Sequence, residues 1–166
     1  MAIKQGWTGR YFEDFEVGDV YRSRIGRTIT DVDNIYFTLL SNNTNQIHFN
    51  TEYAKHTGFE KPLVNSIVTL AVVAGLGVSD VSENGFALGW DYIKLPNPVF
   101  AGDTLYCEQH VVEVRESRSR PQQGIVKVRT LGVTQNGTVV IDYARSVMVW
   151  KKAAAPGRAP FPEHNG

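Results

Sequence analysis

The sequence predicts an α+β domain in which one curved antiparallel sheet wraps a single long buried helix. Three observations carry this. Residues 62–78 (Pro-Leu-Val-Asn-Ser-Ile-Val-Thr-Leu-Ala-Val-Val-Ala-Gly-Leu-Gly-Val) are apolar on nearly every side, the mark of a helix hidden all round. From Phe86 onward the pattern switches to strand-like segments. Asn136-Gly137 joins two of these segments with the strongest two-residue hairpin signal. Nothing else in the chain is long enough to hide the helix, so one sheet must cover it.

The chain in order supports this layout. Residues 1–10 lack periodicity and read as a flexible arm. Residues 20–30 alternate as one strand. Thr30-Asp31-Val32-Asp33 offers cap chemistry for a short helix carrying Ile35, Phe37, Leu39 and Leu40. Residues 41–50 (Ser-Asn-Asn-Thr-Asn-Gln-Ile-His-Phe-Asn) form a polar loop. Asn50 or Thr51 caps a second short helix running to His56, with Gly58 at its end. Pro62 lies near the start of the buried helix, which ends near Asp80. Strands follow at 86–95, 104–115, 125–134 and 138–150. Pro96-Asn97-Pro98, the turn Ala101-Gly102-Asp103 and a basic insertion at 116–124 separate them. Residues 151–166 are Ala-, Pro- and Gly-rich and read as a flexible tail, leaving 11–150 as the domain.

Composition excludes several classes. The 166 residues suit one domain with a real core. Lys+Arg and Asp+Glu balance at 17 each, so no global field draws nucleic acid or a membrane surface. A single cysteine, Cys107, excludes an internal disulfide and a multi-thiolate metal site; it reads as a buried bystander. Cysteine usage fits a reducing cytosol, and no secretory leader is visible, so a cytoplasmic location is expected. The apolar run is too short to span a bilayer comfortably and is broken by Asn65, Ser66 and Thr69. The exposed sheet edge this layout leaves makes a homodimer or higher homo-oligomer the expected state.

Three stretches resemble the MaoC-type hot dog family. Residues 11–19 (Tyr-Phe-Glu-Asp-Phe-Glu-Val-Gly-Asp) are similar to its opening. Residues 41–48 (Ser-Asn-Asn-Thr-Asn-Gln-Ile-His) are similar to its hydratase motif Ser-Gly-Asp-x-Asn-Pro-Ile-His. Residues 99–105 (Val-Phe-Ala-Gly-Asp-Thr-Leu) are similar to the turn before its third strand. There are departures: the family's aspartate falls on Asn43, its proline on Gln46, and the His-Gly opening its buried helix on Asn65-Ser66. Together with Arg118-Ser119-Arg120-Pro121, these resemble the mesaconyl-CoA hydratase (β-methylmalyl-CoA dehydratase) branch. The resemblance implies reversible hydration of an enoyl-CoA thioester, here with a second carboxylate on the acyl group. It implies an acyl-CoA partner and no cofactor or metal, coenzyme A being part of the substrate.

On this reading catalysis falls to His48 and Asn43, and substrate contacts to Asn45, Asn65, Ser66, Arg118 and Arg120. His48 is the obvious acid/base, because the unperturbed pKa of a histidine side chain lies near neutrality; a lone histidine at a loop end is otherwise a solvent-side or hydrogen-bonded residue. Asn43 can place a water but cannot take its proton; it could equally satisfy a turn. The first turn of the buried helix can aim the Ser66 N–H at a developing oxyanion. Arg118, Arg120 and Lys127 could meet coenzyme A phosphates or form a solvated basic loop. His56 and His110 have no comparable setting. Two other functions compete. One is a hot dog thioesterase using Asp80 or Glu83; the other is a non-catalytic acyl-CoA-binding domain.

Overall fold

The computed structural model describes residues 2, 4, 6–157 and 162. Six strands and three α-helices carry the architecture: β1 (Val20–Arg22), β2 (Arg27–Thr28), α1 (Asp31–Leu40), α2 (Thr51–Ala54), α3 (Ser66–Leu76), β3 (Gly85–Lys94), β4 (Thr104–Glu116), β5 (Gln123–Thr134) and β6 (Val139–Trp150). All pairings are antiparallel, in the order β1-β4-β5-β6-β3, with β2 also on β4. The sheet curves round α3, which is the hot dog fold.

The single strand expected at 20–30 is two short ones. A bend at Arg24-Ile25 separates them, and Gly26 beside it lets the Tyr106 ring pack close, since a Cβ there would meet that ring at 2.5 Å. The start of α3 also differs from expectation. It begins at Ser66, four residues past Pro62, and Asn65 caps it, accepting from the Ile67 N–H at 3.0 Å. A π-helical segment, Val78–Ser82, follows the helix.

One face of α3 packs on the sheet. Val68 and Val73 join Leu105, Val140, Ile141 and Tyr143 in a closed apolar cluster. Each such side chain, fully buried, contributes about 1.5–3 kcal/mol. Gly132 permits this approach: a Cβ there would meet Val73 Cγ2 at 2.6 Å. A second cluster gathers Phe12 and Phe15 with Val81, Val126 and Val147. The helix is not buried on every side, as its sequence suggested. Ile67 is half-exposed, and Ala71 and Gly75 are exposed too. Positions i, i+4 and i+8 form one stripe, which the single sheet cannot reach.

The stretch read as an arm is fastened where it is described. The Trp7 indole N–H donates to the Ser79 carbonyl at 3.0 Å, and Asn84 Nδ2 donates to the Thr8 and Arg10 carbonyls. Arg10 pairs with Asp80 at 2.7 Å. Beyond Trp150, the Lys152 N–H donates to Glu13 Oε2 at 3.1 Å. Half of the expected tail, residues 158–161 and 163–166, lies outside the described residues.

Candidate active site

The polar loop is built by the end of α1. Asn42 adopts φ +55°, and the Asn43 N–H donates to the Thr38 carbonyl at 3.0 Å. This six-to-one bond with a left-handed asparagine is a Schellman ending. Asn43 Oδ1 then accepts from the Asn45 N–H at 3.0 Å, and Asn45 Oδ1 from the Ile47 N–H at 3.3 Å. These two turns wind the chain into the 3₁₀ segment Gln46–His48. Gln46, in place of the motif's proline, accepts from Asn50 Nδ2 at 2.6 Å.

His48 is held by the segment that leads into α3. Its Nδ1 lies 2.8 Å from the Leu63 carbonyl. A carbonyl only accepts, so Nδ1 carries the hydrogen and the neutral ring presents Nε2 as an unprotonated base. The Leu63 N–H donates in turn to the Ile47 carbonyl at 3.0 Å.

Asn34, on α1, ties both halves of this arrangement together. Its Nδ2 donates to the His48 carbonyl at 2.7 Å and the Leu63 carbonyl at 3.2 Å. Its Oδ1 accepts from the Asn65 N–H at 2.8 Å. One buried amide therefore fixes the loop that carries the base and the cap of the helix behind it. No motif marked Asn34. Its only signal was a polar residue in the middle of a short helix.

His48 and Ser66 line the same cavity, of about 360 Å³, between α3 and the turn that follows β3. Phe59, Leu63, Leu95, Pro98, Val99 and Val140 make most of its wall. Ser66 is the first residue of α3, and its N–H has no acceptor among the described residues. His48 and the first residue of α3 thus line one largely apolar space.

The other candidates stand elsewhere. Asn43 does not line this cavity, and its side-chain oxygen is engaged in the turn. Asn45 is a cap, with its oxygen also engaged. Asn65 is buried and committed to structure, capping α3 and donating to Thr38 Oγ1 at 3.3 Å; the expected substrate contact is corrected to a structural one. Arg118 and Arg120 are corrected too. Their loop joins β4 to β5, where Arg120 lies over Phe86 and beside Trp150. The cavity reaches Val140, at the other end of β6, about 30 Å away by strand rise. Within one chain the arginines cannot meet a ligand reacting at His48. Lys127 pairs with Asp91 at 2.8 Å.

No Asp or Glu lines the cavity among the described residues. Asp80 is held by Arg10 beyond the far end of α3, which removes the carboxylate a thioesterase reading named first. Cys107 is buried, and burial pushes its thiol up to about 12, so it stays neutral as expected. Among the described residues no three His, Cys, Asp or Glu side chains cluster as metal ligands, and no helix is long and apolar enough to cross a membrane.

Comparison with known proteins places this geometry. A family model described as mesaconyl-CoA hydratase matches residues 4–159. A mesaconyl-CoA hydratase of Cereibacter sphaeroides is 34% identical over 154 residues, 92% of this chain and 45% of that protein. A β-methylmalyl-CoA dehydratase of Chloroflexus aurantiacus is 33% identical over 156 residues, 93% of this chain and 43% of the relative. The chain thus spans less than half the length of these relatives. The MaoC-like dehydratase structure from Rhodospirillum rubrum superposes with a TM-score of 0.77 at 26% identity, covering 87% of this chain and 99% of the other. The matched family, the hydratase-type loop and the hot dog scaffold agree: the chain belongs to the mesaconyl-CoA hydratase family.

Proposed function

We propose that the chain catalyses reversible addition of water to an enoyl-CoA thioester, with a branched dicarboxylic acyl group such as mesaconyl as the preferred substrate. The observation that carries this is the 2.8 Å contact between His48 Nδ1 and the Leu63 carbonyl. Nδ1–H is spent on the Leu63 carbonyl, so Nε2 is a base facing a cavity that also holds the Ser66 N–H. In the hydration direction Nε2 takes a proton from water while the oxygen adds to the β-carbon. The thioester oxygen gains negative charge and is met by the Ser66 N–H; a donor so placed is worth about 3 kcal/mol. The imidazolium then returns the proton to the α-carbon, directly or through water. Atoms balance as one water per double bond, and the reverse is dehydration.

The reaction so drawn uses coenzyme A only as part of the substrate and needs no metal or cofactor. The names of the family relatives support the dicarboxylic acyl group. We propose further that the chain works as a homodimer or higher homo-oligomer, joined through the β3 edge, and in the cytoplasm. Phe86, Leu88, Trp90 and Ile93 on that strand are all exposed by 43–47%, and its outer side pairs with no strand among the described residues. A second unit across this edge is the route by which Asn43 or the Arg118–Arg120 loop of a neighbour reaches a substrate.

Incubation with crotonyl-CoA and mesaconyl-CoA tests the proposal, with enoyl absorbance and free thiol followed together. Loss of absorbance without thiol is the expected result. Thiol release would make the protein a thioesterase, and binding with neither signal would make it a non-catalytic acyl-CoA-binding domain.

A further inference from the structure

We infer that the Thr69 hydroxyl, seconded by that of Ser66, binds the distal carboxylate of a dicarboxylic acyl-CoA and sets the preference for that class. The inference rests on the hydratase reading above. Polar groups are few on the cavity wall: His48, Ser66, Thr69 and Asn97. Asn97 turns its amide to the Val139 carbonyl at 2.8 Å. No Lys or Arg lines the wall among the described residues. A carboxylate entering here must therefore be held by neutral donors and the helix terminus.

Thr69 is the donor left over. It is only 2% exposed, yet its hydroxyl has no hydrogen-bond partner among the described residues. A threonine inside a helix commonly returns its hydroxyl to the carbonyl four residues back. Here the Asn65 carbonyl takes the Thr69 N–H at 3.2 Å, the ordinary helical bond, and no bond from the Thr69 hydroxyl accompanies it. Thr69 lines the cavity, so a ligand entering there is the partner its hydroxyl can reach.

The geometry suits a short diacid. Ser66 and Thr69 are three residues apart, so they share a helix face and stand about 4.5 Å apart along the axis. The two carboxyl carbons of a trans four-carbon diacid are separated by a similar distance. With the Ser66 N–H on the thioester oxygen, the Thr69 hydroxyl lies one turn deeper, where the second carboxylate falls. The N-terminus of the eleven-residue α3 adds about half a positive charge. A crotonyl group leaves Thr69 unanswered.

The test compares ratios. For each variant, kcat/KM for mesaconyl-CoA is divided by that for crotonyl-CoA. In parallel, Kd for succinyl-CoA is compared with Kd for butyryl-CoA by calorimetry, neither ligand having a double bond to hydrate. Thr69→Val keeps the shape and removes the hydroxyl, and should lower the dicarboxylate preference about tenfold or more in both measurements. Thr69→Ser should restore most of it. Thr69→Ala gives the same reading should the valine variant not fold. Lys61→Met is the competing arm: its ammonium sits 4.2 Å over the Phe100 ring, next to Phe59, and could hold the carboxylate at the cavity mouth. An unchanged ratio in both Thr69→Val and Thr69→Ala, or a ratio that falls in Lys61→Met instead, overturns the inference. Should the wild-type protein hydrate neither substrate, the hydratase reading fails and the binding ratio alone decides: a drop in the Thr69 variants sustains the site, and no drop removes it.

Discussion

His48 and Ser66 meet because Asn34 fixes the two backbones that carry them. The amide spends both hydrogens and its oxygen on His48, Leu63 and Asn65. Asn34→Leu fills similar space but strands the Asn65 N–H and leaves two carbonyls without this donor. Each buried group so left costs about 1–3 kcal/mol. The variant should melt at a lower temperature and lose kcat more than affinity; calorimetric melts and steady-state kinetics check both. A variant with normal kcat would show that the base does not depend on this clamp. At this scale the sequence was partly legible. That His48 and Ser66 line one cavity could be anticipated, because a motif marked the first and a helix start the second. Asn65 was misread because a cap and a substrate contact call for the same residue type. The distance of Arg118 and Arg120 from the cavity of their own chain was not legible, because an insertion between strands does not say at which end of the sheet it hangs. Asn34 and Thr69 were silent, since their roles depend on partners distant in sequence.

α1 shows how an element can serve the site rather than the core. It buries Asn34 and Thr38 and exposes Val32, Tyr36, Leu39 and Leu40. Its start was legible: Thr30 and Asp33 form a reciprocal capping box, and Arg27 holds Asp33 at 2.6 Å. Its inward polar face was not, because periodicity assumes that apolar residues turn inward. The Arg27 guanidinium beside Asp33, helped by Thr30, holds that carboxyl well below the usual carboxylate range. Arg129 does the same for Asp142 on β6. A carboxyl depressed in the folded state binds fewer protons than in the unfolded chain, so stability rises with pH across its titration. This stabilisation is complete above the ordinary value, near pH 4, and is lost as pH falls below it. Thermal melts from pH 7 to pH 3 should show a falling midpoint, and Asp33→Asn with Asp142→Asn should flatten that fall. An equally steep fall in the double variant would contradict the assignment. Most strand bounds were legible within two residues. The break between β1 and β2 was not, because the ring of Tyr106 that packs against Gly26 is distant in sequence.

The whole molecule presents a sheet edge and a helix stripe without cover. Trp90, Ile93 and Leu95 near one end of β3, and Ile67 on α3, are apolar and exposed, more than a lone domain ordinarily shows. A homo-oligomer joined at β3 should sediment as a multiple of 18.5 kDa, and Trp90→Lys should shift it toward the monomer. A wild-type protein that sediments as a monomer would contradict the proposed assembly. Fold class was legible at this scale because one apolar segment and four strands admit few layouts, whereas the uncovered stripe on α3 depends on how far one sheet can wrap. The central claim is that His48 Nε2 is the base for water addition. The most direct measurement follows enoyl absorbance and free thiol with mesaconyl-CoA for the wild type and His48→Gln. The account predicts absorbance loss without thiol, slowed about a hundredfold or more in the variant. Thiol release, or an unchanged rate in His48→Gln, would contradict it.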